Sequence, residues 1–256
     1  MKLSDLSKSQ LGSVQERFAV ASDVYEDNDP KHALAGGWQK IMKSSDVPGL
    51  EDRGFGGAIY KRTHNGKDQF IVAFRGMDGM TDLDDVALLA LGKPPKQLVE
   101  AYKFTKIASE KFGFKPPEAE YVGHSMGGYL SKAIGMLHGS LNVTAFNSPG
   151  LFNEDLKGLP RLIQREFGES KSDITIRQIE DGILSINSKF DPVTWVGELS
   201  GNTIKVNTEG RQHKLTSLHD SFNRAAEGLY EPRPTPVATA TFRRQPEYGM
   251  GGAVPA

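Results

Sequence analysis

Ser125 stands in Gly123-His124-Ser125-Met126-Gly127, followed by Gly128, and the residue types in this segment could do covalent chemistry. A serine hydroxyl is a weak nucleophile, so hydrolysis by serine needs the oxygen held clear of its own backbone and within reach of a base. A tight turn from a strand into a helix does both. It calls for glycine two residues before and two after the serine, where a Cβ would collide with the neighbouring strand or helix, and Gly123 and Gly127 meet that demand. The backbone N–H of Met126 then falls at the start of the helix, unpaired within it and directed at a developing oxyanion. A second donor is still needed. The pattern also arises by chance in a chain with 28 glycines, so it has weight only between a strand and a helix.

The elements that must position this turn are legible from hydrophobic spacing. Leu11, Val14, Phe18, Ala21 and Val24 or Tyr25 follow the three-and-four rhythm of an amphipathic helix over 11–25. Residues 55–61 and 69–74 read as two strands joined through a turn at Asn65-Gly66, and Phe70 to Phe74 is continuously apolar, as a strand covered on both faces must be. A helix is predicted over 98–112, stopped by Pro116-Pro117. Tyr121-Val122 leads into the glycine-rich turn, and a helical pattern resumes over 129–137. Strands over 141–146, 183–187 and 203–206 and a closing helix over 218–229 complete the pattern. Strands alternating with helices predict an α/β fold with a mainly parallel central sheet and helices on both faces.

On such a fold, a serine on this kind of turn is followed along the chain by an acid and then a base, because both sit on loops after later strands. His32 and His64 precede Ser125, His124 lies inside the turn, and His138 ends the helix that follows it, so His213 and His219 remain. Asp191 is the best-placed acid, since it stands just beyond the strand 183–187, where a strand's C-terminal end delivers a side chain to a site. It would orient the imidazole and stabilise its charged form while the histidine moves the proton. Asp173 and Asp181 read as solvated loop charges, Asp220 as a first-turn helix residue, and His219 can equally be a helix surface residue.

Together these segments resemble the class three lipases of fungal triacylglycerol lipase type and related bacterial lipase-like proteins, over roughly Ala19 to Leu229. Phe70-Ile71-Val72-Ala73-Phe74-Arg75-Gly76 is similar to the family's strand ending in Ala-Phe-Arg-Gly, and Gly123 to Gly128 to its Gly-His-Ser-Leu-Gly-Gly. Phe146-Asn147-Ser148-Pro149-Gly150 resembles its Phe-Gly-Ser-Pro, and Asp191-Pro192-Val193 its Asp-Pro-Val, which carries the catalytic aspartate. The resemblance implies the α/β-hydrolase fold, lipid-ester hydrolysis, and His213 as the base, because His213-Lys214-Leu215-Thr216-Ser217-Leu218 fits the family's histidine segment better than the run beginning at His219. After Arg75-Gly76 the family usually has threonine or serine where this chain has Met77, so a hydroxyl is missing from the oxyanion hole and the Met77 N–H is left as the second donor. The resemblance also implies a lid, and residues 82–91, acidic and then apolar, suit a mobile amphipathic cover as well as they suit a packed helix.

Composition narrows the remaining classes. A chain of 256 residues with 38% hydrophobic residues buries a sizeable core, and one domain is expected over 1–230. Residues 231–256, rich in proline and glycine, read as a flexible tail that could address a protein partner. The net charge of -1 gives no electrostatic footprint for nucleic acid. Zero cysteines exclude a disulfide framework and a cysteine nucleophile; no helix face pairs histidines with a carboxylate at metal-ligand spacing, and no cofactor is expected. The N-terminus does not read as a secretory signal peptide, so the expectation is a cytoplasmic protein, or one exported by a signal-independent route. Three activities fit: a lipase or phospholipase, an esterase or thioesterase acting on small soluble substrates, and a non-catalytic lipid- or protein-binding module on the same fold.

Overall fold

A computed structural model describes residues 1–26, 33–50, 54–76 and 97–230. The expected Met77 donor, the segment 82–91 and the tail 231–256 lie outside the described residues. Asn65 and Gly66 both take positive φ, 51° and 73°, which is what a two-residue turn between right-twisted strands demands. They join β2 (Gly57–His64) to β3 (Lys67–Phe74) in unbroken antiparallel register, and β1 (Gln39–Lys43) pairs with the outer side of β2. From β3 onward every pairing is parallel: β4 (Glu120–His124), β5 (Val143–Phe146), β6 (Ile183–Ser188) and β7 (Asn202–Val206) follow in chain order, giving a seven-stranded sheet among the described residues.

Because each parallel strand is laid beside its predecessor, right-handed crossovers put all the connecting helices on one face. These are α2 (Gln97–Phe112), α3 (Met126–His138), α4 (Asp155–Phe167) and α5 (Ile176–Gly182). The terminal helices α1 (Lys8–Asp23) and α6 (Leu215–Tyr230) cover the other face. Alternation along the strands feeds both layers: Val72, Phe74 and Tyr121 pack against α2 and α3, while Ile71, Ala73 and Val122 pack against α1 and α6. The α/β fold with a mainly parallel sheet and helices on both faces is borne out. Among the described residues no helix is long and apolar enough to cross a membrane.

Boundaries move where polar chemistry, invisible to an apolar rhythm, sets the end. Helix α1 begins at Lys8 because Ser7 caps it, accepting from the Gln10 N–H while the Gln10 side chain accepts from the Ser7 N–H. Helix α2 stops at Phe112 through Gly113, at φ 71°, and not at Pro116-Pro117, which form a short 3-10 turn four residues later.

The turn between β4 and α3 is packed backbone against backbone. A Cβ on Gly123 would lie 2.2 Å from the Gly127 carbonyl oxygen, and one on Gly127 would lie 2.1 Å from the carbonyl oxygen of Phe74 on the neighbouring strand. Backbone atoms cannot yield to such contacts. Gly127→Ala is therefore expected to cost more than ~3 kcal/mol or to prevent folding. Gly158→Ala, in α4 with nothing within 4 Å of the added methyl, should stabilise by up to ~1 kcal/mol. Urea unfolding of the two variants beside the native chain checks both; equal stabilities would refute the packing account.

Candidate active site

The parallel strands finish in step, with Phe74 beside Gly123, His124 beside Phe146 and Phe146 beside Ile186. Everything that follows their C-terminal ends is therefore delivered to one rim. Ser125 leaves β4 at φ 58°, ψ -128°, a conformation a side chain rarely takes, and starts α3 as its N-cap. Its N–H is held by the Phe146 carbonyl at 3.0 Å. Its carbonyl accepts from the N–H groups of Gly128 and Tyr129, closing the first turn of the helix. Met126 is the first helical residue, and a helix offers no internal acceptor to the N–H at that position.

Beyond β6, Asp191 caps the short 3-10 helix Pro192–Trp195: its Oδ1 accepts from the Val193 N–H at 3.1 Å, and its carboxylate is fully buried. Its Oδ2 lies 2.8 Å from His213 Nδ1, and His213 Nε2 lies 2.9 Å from Ser125 Oγ. A carboxylate can only accept, so Nδ1 carries the proton and donates to Asp191, which leaves Nε2 to accept from the serine hydroxyl. The structure thus brings Ser125, His213 and Asp191 into one hydrogen-bonded line. His219 is not part of it. Its ring, on α6, stacks on Phe18 with centroids 4.7 Å apart and meets Asn223 at 3.0 Å, so it packs α6 against α1.

Two further residues brace the line, and the motif reading assigned neither a role. Asn147 follows β5 at φ 42°, where the resembled family has glycine; asparagine is among the few side chains that tolerate this region. Its amide nitrogen donates to the Gln212 carbonyl at 2.8 Å, next to His213, and its amide oxygen accepts from the Ser188 N–H at 2.7 Å, at the start of the loop that carries Asp191. Tyr25 braces the other side. The Gly76 N–H donates to its hydroxyl at 3.0 Å, and the hydroxyl lies 3.1 Å from His124 Nδ1. His124 Nε2 lies 2.8 Å from the His213 carbonyl, which can only accept, so Nε2 carries the proton and Tyr25 donates to Nδ1. Burial, and then the neighbouring His213, push the His124 pKa down to about 3, so the ring is neutral at physiological pH. An asparagine in a position usually held by glycine was the one sequence signal that could have marked Asn147; nothing in the sequence marks Tyr25, which closes the apolar rhythm over 11–25 and lies just past the end of α1.

Among the described residues no cluster of three or more histidines and carboxylates is placed to hold a metal ion. What the rim holds instead is a serine, an imidazole and a buried carboxylate in sequence, an arrangement suited to acyl transfer. The family model of the Tle-like phospholipase domain, a phospholipase-like family, matches residues 17–227. The chain belongs to this family. Membership makes it a lipid ester hydrolase in general terms, with a lipid as substrate. No curated protein matches the chain. The resemblance to lipases is thereby supported at the level of lipase- and phospholipase-like proteins; the match is not to the class three lipases themselves.

Within this Tle-like phospholipase domain the Asn147 brace is separable from the backbone it stabilises, because glycine accepts the same φ. Asn147→Gly should lose ~2 kcal/mol of stability for two hydrogen bonds and speed amide exchange in residues 211–214. Unchanged exchange in that loop would show that Asn147 does not hold it.

Acid should unfold the protein through its buried histidines. His138, stacked on Tyr102, is pushed down to about 4 by burial and then by Lys171, while in the unfolded chain both it and His124 titrate near ~6.5. As pH falls from ~6.5 towards those folded values the unfolded chain binds protons the folded one does not, so stability is lost across that window. His138→Phe keeps the stack, and His138 Nε2 has no hydrogen bond to lose. Between pH 7 and 4.5 this variant should lose ~2 kcal/mol less than the native protein; parallel curves would remove His138 from the account.

Proposed function

We propose that this phospholipase-like domain hydrolyses a carboxylic acyl ester of a phospholipid through an acyl-enzyme on Ser125, with His213 as general base and acid and Asp191 as its orienting carboxylate. The observation that carries the reading is the continuous line from Ser125 Oγ to His213 to the buried Asp191 carboxylate, at 2.9 and 2.8 Å. Ser125 Oγ attacks the acyl carbon as its proton passes to His213 Nε2. The imidazolium formed at that moment is stabilised by Asp191, which has no water to screen it. The oxyanion is received by the Met126 N–H at the helix start, with the Met77 N–H as second donor. Collapse of the tetrahedral intermediate expels the alcohol portion of the lipid, protonated by His213. Water, deprotonated by the same imidazole, then releases the fatty acid and restores Ser125.

The glycines of the turn serve this chemistry by proximity. Gly76 sits so close to the serine that a Cβ there would lie 3.1 Å from Ser125 Cβ. The segment that leaves β3 is thus brought to the side of Ser125. The domain proposed to contain all of this is residues 1–230, with the tail 231–256 appended.

Hydrolysis of a vesicle phospholipid and of a short-chain soluble ester by the native protein, Ser125→Ala, Asp191→Asn and His213→Ala tests the reading. Ser125→Ala and His213→Ala should lose roughly a thousandfold or more in kcat, and Asp191→Asn, which favours the wrong imidazole tautomer, about as much, while His219→Ala stays near the native rate. Preference for the soluble ester would make the protein an esterase. No turnover by the native chain, or full turnover by Ser125→Ala, would leave only a binding module.

A further inference from the structure

Six large hydrophobic side chains are strongly exposed among the described residues, and two of them flank the buried carboxylate of the site. Phe190 immediately precedes Asp191 and is 61% exposed; Trp195 ends the 3-10 helix that Asp191 caps and is 67% exposed. The other four, Met1, Leu141, Ile176 and Leu229, lie away from the strand ends that carry the site. Paired exposed aromatics on one short loop are costly in water unless something covers them.

The charge around them says what that is. Lys189 holds its ammonium over the Phe190 ring at 5.3 Å, and Arg211 and Lys214 stand exposed on the loop that carries His213. None of the three makes an ion pair among the described residues. Of the carboxylates on these two loops, Asp191 faces His213 and Glu209 pairs with Arg224 at 3.1 Å; Glu198 accepts from the neutral Asn153 amide and keeps its charge, against three cations. Both loops follow the C-terminal ends of adjacent parallel strands and so share the rim of Ser125. Aromatic rings with flanking cations are the chemistry that seats a protein at the headgroup level of an anionic bilayer.

We propose that Phe190 and Trp195 insert into the surface of an anionic phospholipid membrane, with Lys189, Arg211 and Lys214 on its headgroups, so that the mouth of the site is pressed against its substrate. The inference deepens the phospholipid reading and rests on it. Docking fixes the orientation in which an ester enters, since the inserted loop is the one that carries Asp191.

The chain has two tryptophans, and Trp38 is 1% exposed, so a change in fluorescence on lipid binding reports Trp195. Full-length Ser125→Ala, which leaves the vesicles intact, is mixed with phosphatidylcholine vesicles with and without phosphatidylglycerol. With the anionic lipid, emission should move to the blue, be quenched by brominated acyl chains, and recover as salt is raised. Phe190→Ser combined with Trp195→Ser should weaken sedimentation with those vesicles roughly tenfold or more. Sedimentation without a change in emission, binding by the double variant as tight as the parent's, or equal binding to neutral vesicles would each overturn the inference. Hydrolysis by the native protein is read separately: a blue shift with no hydrolysis sinks the phospholipase reading and leaves the membrane surface standing.

Discussion

Gly127 passes so close to β3 that the space for a Cβ is already occupied by the carbonyl of Phe74, and Gly123 is crowded in the same way by Gly127 itself. Backbone meets backbone at this point with nothing between. That contact fixes the angle at which α3 leaves β4, and so the direction of the Met126 amide and the height of Ser125 above the sheet. It also ties β3 to the turn, which places the end of β3 beside the serine. A looser crossing would leave the same side chains present but not converging, and displacements of about 1 Å cost a site of this kind orders of magnitude in rate.

Crowding forces strain, and the strain is local. Three non-glycine residues take positive φ among the described residues; one belongs to the hairpin turn, and the other two, Ser125 and Asn147, end adjacent strands at the site. Such conformations cost on the order of 1–3 kcal/mol each and persist only where the surroundings over-determine them. Ser125 is held by the Phe146 carbonyl on one side and by its own helix on the other. Asn147 is held by the Ile186 carbonyl through its N–H, and it spends its side chain on the two loops that carry Asp191 and His213. The strained positions are therefore also the joints through which the three chain segments of the site are referred to one another.

How far the sequence discloses this depends on whether a residue acts through pattern or through pairing. The parallel core strands were legible because burial on both faces forces apolar runs, and the nucleophile turn because only glycine fits it. Strand β1 was not, since Lys40 occupies a buried position and is made tolerable by Asp23 at 2.9 Å and by two backbone carbonyls. Helix α4 was hidden by Pro160, which removes the donor that would serve the Leu156 carbonyl; the Ile174 N–H, from beyond the helix, supplies it instead. Within the candidate site, Ser125 and Asp191 stand out by type and order, whereas order leaves both His213 and His219, and only the resemblance to lipases favours His213. Tyr25 and Asn147 do not stand out, because their roles are set by partners far away in the chain, Gly76, His124, Ser188 and Gln212, that no local spacing predicts.

The neutrality of His124 is what lets a second imidazole stand so near the first. Its ring centroid is 5.0 Å from that of His213, close enough that a charged His124 would oppose the positive charge that the proposed mechanism places on His213. Burial removes that conflict, and the Tyr25 hydroxyl and His213 carbonyl give the neutral ring one proton to accept and one acceptor for its own. An imidazole is well suited here because it offers a donor and an acceptor on opposite sides of a rigid ring, spanning from the end of β3, through Tyr25, to the backbone of the proposed base. A lysine would bring the unwanted charge, and an alanine would leave the Tyr25 hydroxyl and the His213 carbonyl without these partners. With His124 neutral, the buried Asp191 carboxylate stays aimed at His213 Nδ1 with no charge on the neighbouring ring to oppose it.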